Sequence, residues 1–187
     1  MLSPKAYLAG PDVFLPHAGE LAAQKIAICA RHGLIGLAPF NPEFEHLHRL
    51  PADTAWRCIY QYDIAMMRDC DLIIANLTPF RGASADAGTL VELGWFLGAA
   101  KPVFGYSNSA EDFGRRSAAQ IAAMPDPLPG LSVEGFGLPD NLMIPGAVEQ
   151  GGGLPVTSPP DGLSRAFDAL DVFELCVAAA AGALRRE

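Results

Sequence analysis

Four short apolar runs constrain this chain more than any other feature: AYLAG (6–10), IGLAPF (35–40), DLIIANL (71–77) and PVFGY (102–106). Each is bounded by Gly, Pro, Asp or Asn, and none alternates strictly between apolar and polar residues. A strand without alternation is buried on both faces, as in a parallel sheet covered by helices on either side. The stretches between them carry helical patterns. Residues 17–32 place Leu21, Ile26, Ile28 and Cys29 in one segment that stops at Gly33. Residues 54–69 carry Trp56, Ile59, Tyr60, Ile64 and Met67, and residues 89–100 form a third segment. The order β-α-β-α-β-α-β predicts a doubly wound α/β domain.

With 187 residues, the chain has enough length for one domain with a full core, spanning 1–187. An alanine-rich helix is expected at about 163–184, packed on the body or on a second subunit. Much of the Pro and Gly falls within 107–162. A short helix is expected there at about 115–124, and GAVEQGGGLPVTSPPDG reads as a surface loop or flexible flap.

Charge narrows the partners. The net charge is −8 and the 13 basic residues are scattered, which disfavours nucleic acid and anionic membrane surfaces. Cys29, Cys58, Cys70 and Cys176 form no CxxC pair and sit in apolar or helical contexts, as buried free thiols do in a reducing compartment. His46 and His48 in EHLHRL have no further ligand cluster beside them, so they read as loop residues and no metal is expected. No apolar run approaches the ~20 residues of a membrane span, and no basic n-region precedes the first apolar stretch. A cytoplasmic protein is expected.

In doubly wound folds ligands bind beyond the carboxyl ends of the strands. The residues there are GPDVF, FNPEF and TPFRGASADAG, which bring Asp12, Phe14, Asn41 and Asp86 together, with Glu92 one turn into the next helix. Glu92 has two readings. Thr89-Leu90-Val91-Glu92 fits a capping box with Thr89 as N-cap. That reading leaves Asp86 with no helix of its own to cap. It also leaves unexplained the small residues Gly82, Ala83, Ser84, Ala85, Ala87 and Gly88, which clear space for close approach to the backbone. Alternatively Glu92 is a reactive carboxylate, kept ionised by the helix start and suited to attack on an electron-poor carbon. A second acid would then manage the leaving group's proton, with Asp86 and Asp63 as candidates. Periodicity alone makes Asp63 a solvated helix residue, and the adjacent Met66 and Met67 core.

Three segments, YLAGPDVF, YQYDIAMMRDCDLIIANL and DAGTLVELGWFLGAAKPV, together resemble the nucleoside 2-deoxyribosyltransferases, and LPDNLMI at 138–144 resembles the segment these enzymes lend to a neighbouring subunit. The resemblance covers about residues 6–106 and 138–144. It implies a flavodoxin-like α/β fold with about five parallel strands, and transfer of 2-deoxyribose between nucleobases with retention at the anomeric carbon. It casts Glu92 as the nucleophile and Tyr7 as the hydroxyl that positions it. Asp86 and Asp63 become the carboxylates of the base and sugar pocket, and Phe14 the aromatic that stacks on the base. Asn141, with Met143 beside it, would reach the sugar 5′-hydroxyl from the adjacent protomer, so a homo-oligomer is implied. Gly10, Asp12, Asn41 and Gly88 complete the implied substrate-binding set. The partners are deoxynucleosides and free nucleobases, with no cofactor. The long 107–137 connection and PGAVEQGGGLPVTSPP depart from compact members.

Three rival readings share the scaffold. A deoxynucleoside 5′-monophosphate N-glycosidase needs donors for a phosphate dianion near the first loop, where Asp12 would repel it. A phosphoribohydrolase related to lysine decarboxylase homologues needs paired glycines where this chain has Ala85-Asp86-Ala87. A non-catalytic nucleotide-sensing module would bind without turnover.

Overall fold

A computed structural model describes residues 3–40, 51–123 and 129–185. The four apolar runs form strands β1 (Lys5–Ala9), β2 (Ile35–Leu37), β3 (Leu72–Asn76) and β4 (Val103–Tyr106). They pair in parallel in the order β2-β1-β3-β4. Helices α1 (Ala18–Arg31), α2 (Ala52–Asp69) and α3 (Ala87–Gly98) connect them, and α4 (Phe113–Ala123), α5 (Met143–Gly152) and α6 (Asp171–Leu184) follow.

Successive strand residues point to opposite faces, so the sheet has two cores. On one face Ala6, Leu8, Leu72, Ile74, Phe104 and Tyr106 pack with Ile28 and Cys29 of α1 and Val172, Phe173 and Cys176 of α6. On the other, Tyr7, Ala9, Ile73, Ala75 and Val103 pack with Met67 of α2, Leu93 and Phe96 of α3, and Ile144 and Val148 of α5. Burying each such large side chain contributes ~1.5–3 kcal/mol, which explains why the runs do not alternate. Cys29, Cys70 and Cys176 are buried free thiols, and Cys58 is half-buried. Among the described residues, no helix is long and apolar enough to cross a membrane.

Among the described residues the sheet has four strands where five were expected. At the fifth position stands a single parallel bridge, Tyr106 to Thr157. There the Ser107 amide donates to the Thr157 carbonyl, and the Thr157 amide donates to the Gly105 carbonyl, each at 2.9 Å. Pro155, Pro159 and Pro160 bracket Thr157 and remove the donors that would extend a ladder.

The first part of the expected flap is helical and packs on the sheet, while most of 153–162 is irregular, exposed chain. Residues 143–152 form α5, with Ile144 and Val148 buried, and Pro145 falls in the first turn where its missing N–H costs nothing. A Cβ on Gly151 would lie 2.7 Å from that of Val103, so these glycines let α5 press directly on β4. The last helix begins at Asp171 rather than 163, because Arg165 holds the preceding turn by pairing with both Asp161 and Asp171.

The chain leaves β1 toward β2 on one side, and β3 toward β4 on the other. The crevice of this fold therefore opens above β1 and β3, at the switch in strand order.

Candidate active site

Glu92 of α3 meets Tyr7 of β1 on the sheet face that α2 and α3 cover. In α3, Thr89, Leu93 and Phe96 are buried, and Glu92 falls within the same i, i+3, i+4, i+7 stripe. Its Oε1 accepts a 2.7 Å hydrogen bond from the Tyr7 hydroxyl. Tyr7 is fully buried on β1 and its ring stacks on Phe96, centroids 5.9 Å apart. Burial, then the charge and hydrogen bond of Glu92, raise the Tyr7 phenol far above its ordinary range, so it stays a donor.

The capping reading of Glu92 is overturned. Asp86 is the N-cap of α3: its Oδ2 accepts from the Thr89 amide at 3.0 Å and from the Thr89 hydroxyl at 3.2 Å. Asp86 thus has a helix to cap, and Glu92 lies a full turn deeper than the expected helix start. At that depth the helix terminus no longer sets its ionisation. Burial pushes Glu92 up to about 7; the Tyr7 hydrogen bond pulls it down, and the charges of Asp63 and Asp86 push it up. The expectation of a carboxylate kept ionised by the helix dipole is corrected, because desolvation in the stripe outweighs the dipole.

Asp63 is no solvated helix residue. It stands on the inner side of α2, where Oδ1 is cut off from solvent without a hydrogen-bond partner. Burial pushes its carboxyl up to about 6. Its charge raises the pKa values of both Tyr7 and Glu92, which places it with them. Met67 is buried and Met66 packs beside it, as expected of core residues. None of the ion pairs among the described residues engages Glu92, Asp63 or Asp86. Among the described residues these three acids therefore stand close together, partly buried, without an ion-paired cation.

The loop after β1 forms a 3-10 turn, Pro11–Phe14. A Cβ on Gly10 would stand 2.8 Å from that of Asn76, so the turn lies tight against the end of β3. Asp12 does not point freely into the site. Its Oδ2 is paired with the Lys25 ammonium and its Oδ1 accepts from Asn76 Nδ2 at 3.0 Å. Matched by this cation, Asp12 does not present the free negative charge that was expected to repel a phosphate.

Phe14 is 62% exposed and stacks on Phe80 at 5.7 Å, with the Arg81 guanidinium over both rings. Phe80 also meets Phe167 at 6.1 Å. Sequence reasoning missed Phe80, Arg81 and Phe167. The aromatic-cation pair in TPFRG at the end of a strand was the available signal for the first two. Arg81 adopts a left-handed conformation, φ 54°, uncommon for a residue with a side chain and a mark of constraint in this loop.

Gly88 is exposed in the first turn of α3, where a Cβ would crowd Asp86 Oδ2 at 3.0 Å. The 82–86 loop is braced from outside. Buried Asp140 accepts from the Ser84 hydroxyl at 2.6 Å and the Ala85 amide at 2.9 Å, while Arg116 of α4 donates to the Ala83 and Pro139 carbonyls. Next to Asp140, Asn141 is held by Glu134 and accepts from the Met143 amide at 3.1 Å. Met143 is 71% exposed and Asn141 is half-buried. Asn41, His46 and His48 lie outside the described residues.

Residues 6–143 match the model of the nucleoside 2-deoxyribosyltransferase family. An uncharacterized protein of Schizosaccharomyces pombe is 32% identical over 168 residues, covering 81% of this chain and 80% of that protein. A 2-desoxiribosyltransferase from Leishmania mexicana is 32% identical, with a TM-score of 0.55 over 75% of this chain and 85% of that one. A conserved protein from Enterococcus faecalis V583, 22% identical with a TM-score of 0.53 over 84% and 92% of the two chains, shares the fold. Together with the aligned motifs and the sheet that carries them, the match over residues 6–143 shows that this chain belongs to the nucleoside 2-deoxyribosyltransferase family.

Proposed function

We propose that this chain transfers 2-deoxyribose from one nucleobase to another by double displacement through a covalent ester on Glu92. The observation that carries the reading is the Tyr7–Glu92 hydrogen bond, which aims an uncompensated buried carboxylate into the crevice at the switch point. Tyr7 occupies Oε1 and leaves Oε2 for bond formation. That oxygen attacks the anomeric carbon as the glycosidic C–N bond breaks. The bonding pair leaves with the base nitrogen, which takes a proton from a neighbouring acid.

Asp63 suits that proton, since burial holds its carboxyl near 6 while Asp86 commits one oxygen to capping α3. An incoming base then attacks the same carbon, the Glu92 ester departs as carboxylate, and the new base's proton returns to the acid. Two inversions give net retention. The absence of a 2′-hydroxyl eases development of positive charge on the sugar, and three acids without a cation favour that charge. Phe14, backed by Phe80, offers the base a stacking face. Asn141 and exposed Met143 serve the 5′-hydroxyl of a neighbouring protomer's substrate, so the working form is a homo-oligomer, placed in the cytoplasm.

The test is incubation with a deoxynucleoside and a different free base, followed by chromatography. Exchanged nucleoside supports the transferase, free deoxyribose alone a hydrolase, and unchanged substrate a sensor. Mass spectrometry of protein quenched with donor alone is expected to find deoxyribose on the peptide containing Glu92. For the shared site, Glu92→Ala and Asn141→Ala variants mixed under subunit exchange are expected to recover activity that neither has alone. No recovery would argue for self-contained sites.

A further inference from the structure

Lys25 lies in the middle of α1, is 4% exposed, and has no part in the chemistry above. A buried ammonium is rare and costly, and burial lowers its pKa. Four groups hold it. It pairs with Asp12 Oδ2, donates to the Tyr106 hydroxyl at 2.9 Å, and stands 5.4 and 5.1 Å from the ring centroids of Tyr106 and Phe173. The network continues beyond Asp12. Asn76 Nδ2 donates to Asp12 Oδ1 at 3.0 Å, the Thr78 amide donates to Asn76 Oδ1 at 3.1 Å, and the Asn108 amide donates to Thr78 Oγ1 at 3.0 Å. One ammonium thus ties α1 to the carboxyl ends of β1, β3 and β4. The Asp12 carbonyl also accepts from Leu15 at 3.0 Å and closes the turn that ends in Phe14.

Stability alone does not account for this arrangement, because buried ion pairs are often replaced by apolar residues at little or no cost. A directional pair instead specifies position. Resting on the transferase reading, we propose that Lys25 is a positioning residue for base exchange: through Asp12 it fixes the Pro11–Phe14 turn so that Phe14 presents its ring to the nucleobase.

Removing Lys25 alone would strand a buried carboxylate, so the deciding variant is Lys25→Met/Asp12→Asn, which removes both charges and keeps an acceptor for Asn76. Three measurements apply: calorimetric titration with free adenine, hypoxanthine and cytosine; exchange kinetics; and amide hydrogen exchange of residues 10–15. For a base that the wild type binds, the expected outcome is a rise in Kd and acceptor KM of about tenfold or more, with a smaller fall in kcat, since a displaced wall weakens binding before chemistry. Residues 10–15 are expected to exchange faster. Wild-type base affinity and KM in this variant would overturn the proposal, as would a fall in kcat at unchanged KM. Should the double variant not fold, Asp12→Asn alone is expected to weaken base binding by a smaller factor, and unchanged affinity would again overturn it. A wild type that binds bases without exchanging them would remove the transferase reading, while base titration would still decide the role of Lys25.

Discussion

Two polar clusters sit at the same end of one sheet and handle burial in opposite ways. Around Lys25, every charged atom is matched: the ammonium faces Asp12, Tyr106 and two aromatic rings, and Asp12 uses both oxygens. Around Glu92, three acids share space with one phenol hydroxyl, and Asp63 keeps a buried oxygen without a partner. Removing water from a charge costs several kcal/mol whichever cluster it joins. In the first, partners offset the cost and the result is a fixed wall. In the second, the cost remains as pKa values pushed up to about 6 and about 7, which prepares carboxyl groups to exchange protons near neutral pH and to welcome positive charge.

The contrast is broken most directly at Glu92. Glu92→Gln keeps the shape and the acceptor for Tyr7 but removes the nucleophile, and base exchange is expected to fall on the order of 10⁴-fold or more in the chromatographic assay. A variant still exchanging at the wild-type rate would return Glu92 to a structural role. In the paired cluster, Lys25→Met should cost about 3–5 kcal/mol in denaturant unfolding, because Asp12 is left buried and alone. A loss below ~1 kcal/mol would mean that Asp12 escapes to solvent.

The same Glu92→Gln variant should be more stable than wild type above neutral pH. The folded-state acidity of Glu92, about 7, exceeds its ordinary value of 4.5, so the folded form holds a proton that the unfolded form releases between those limits. Below 4.5 both states are protonated and ionisation costs nothing; above 7 the full cost is present, on the order of 3 kcal/mol. The expected gain is therefore a rise of several degrees in Tm at pH 8, vanishing at pH 4. A gain independent of pH would show that ionisation is not its cause.

Smallest is the effect of acidity on rate. With Glu92 required ionised and Asp63 required protonated, kcat/KM should be bell-shaped, with limbs near 6 and 7. Asp63→Asn should remove one limb; an unaltered bell would transfer the proton role to Asp86.

Much of the fold was legible because strand burial and helix periodicity are written locally. All four strands and α1 to α3 lie within a few residues of where the pattern places them, and α4 within two. The Tyr7–Glu92 pairing followed from the family resemblance, since 85 residues separate the partners and periodicity relates neither to the other. Within the stretch 146–162, read as a loop, the helical part 146–152 was misread for the same reason. The glycines and prolines of that stretch signal irregular backbone locally, but α5 exists because Ile144 and Val148 find a half-covered sheet to bury against.

By itself the sequence determined the parallel α/β architecture, the loops that face the crevice and the acids within reach of it, because each depends on neighbours within a few turns of chain. Tertiary structure alone decided which charged groups lose their water and which find a partner. Asp86 became a cap, Asp12 a clamp for Lys25, and Glu92 and Asp63 raised acids through contacts from distant elements. Desolvation depends on everything packed around a group, so no local pattern of residues could have assigned it.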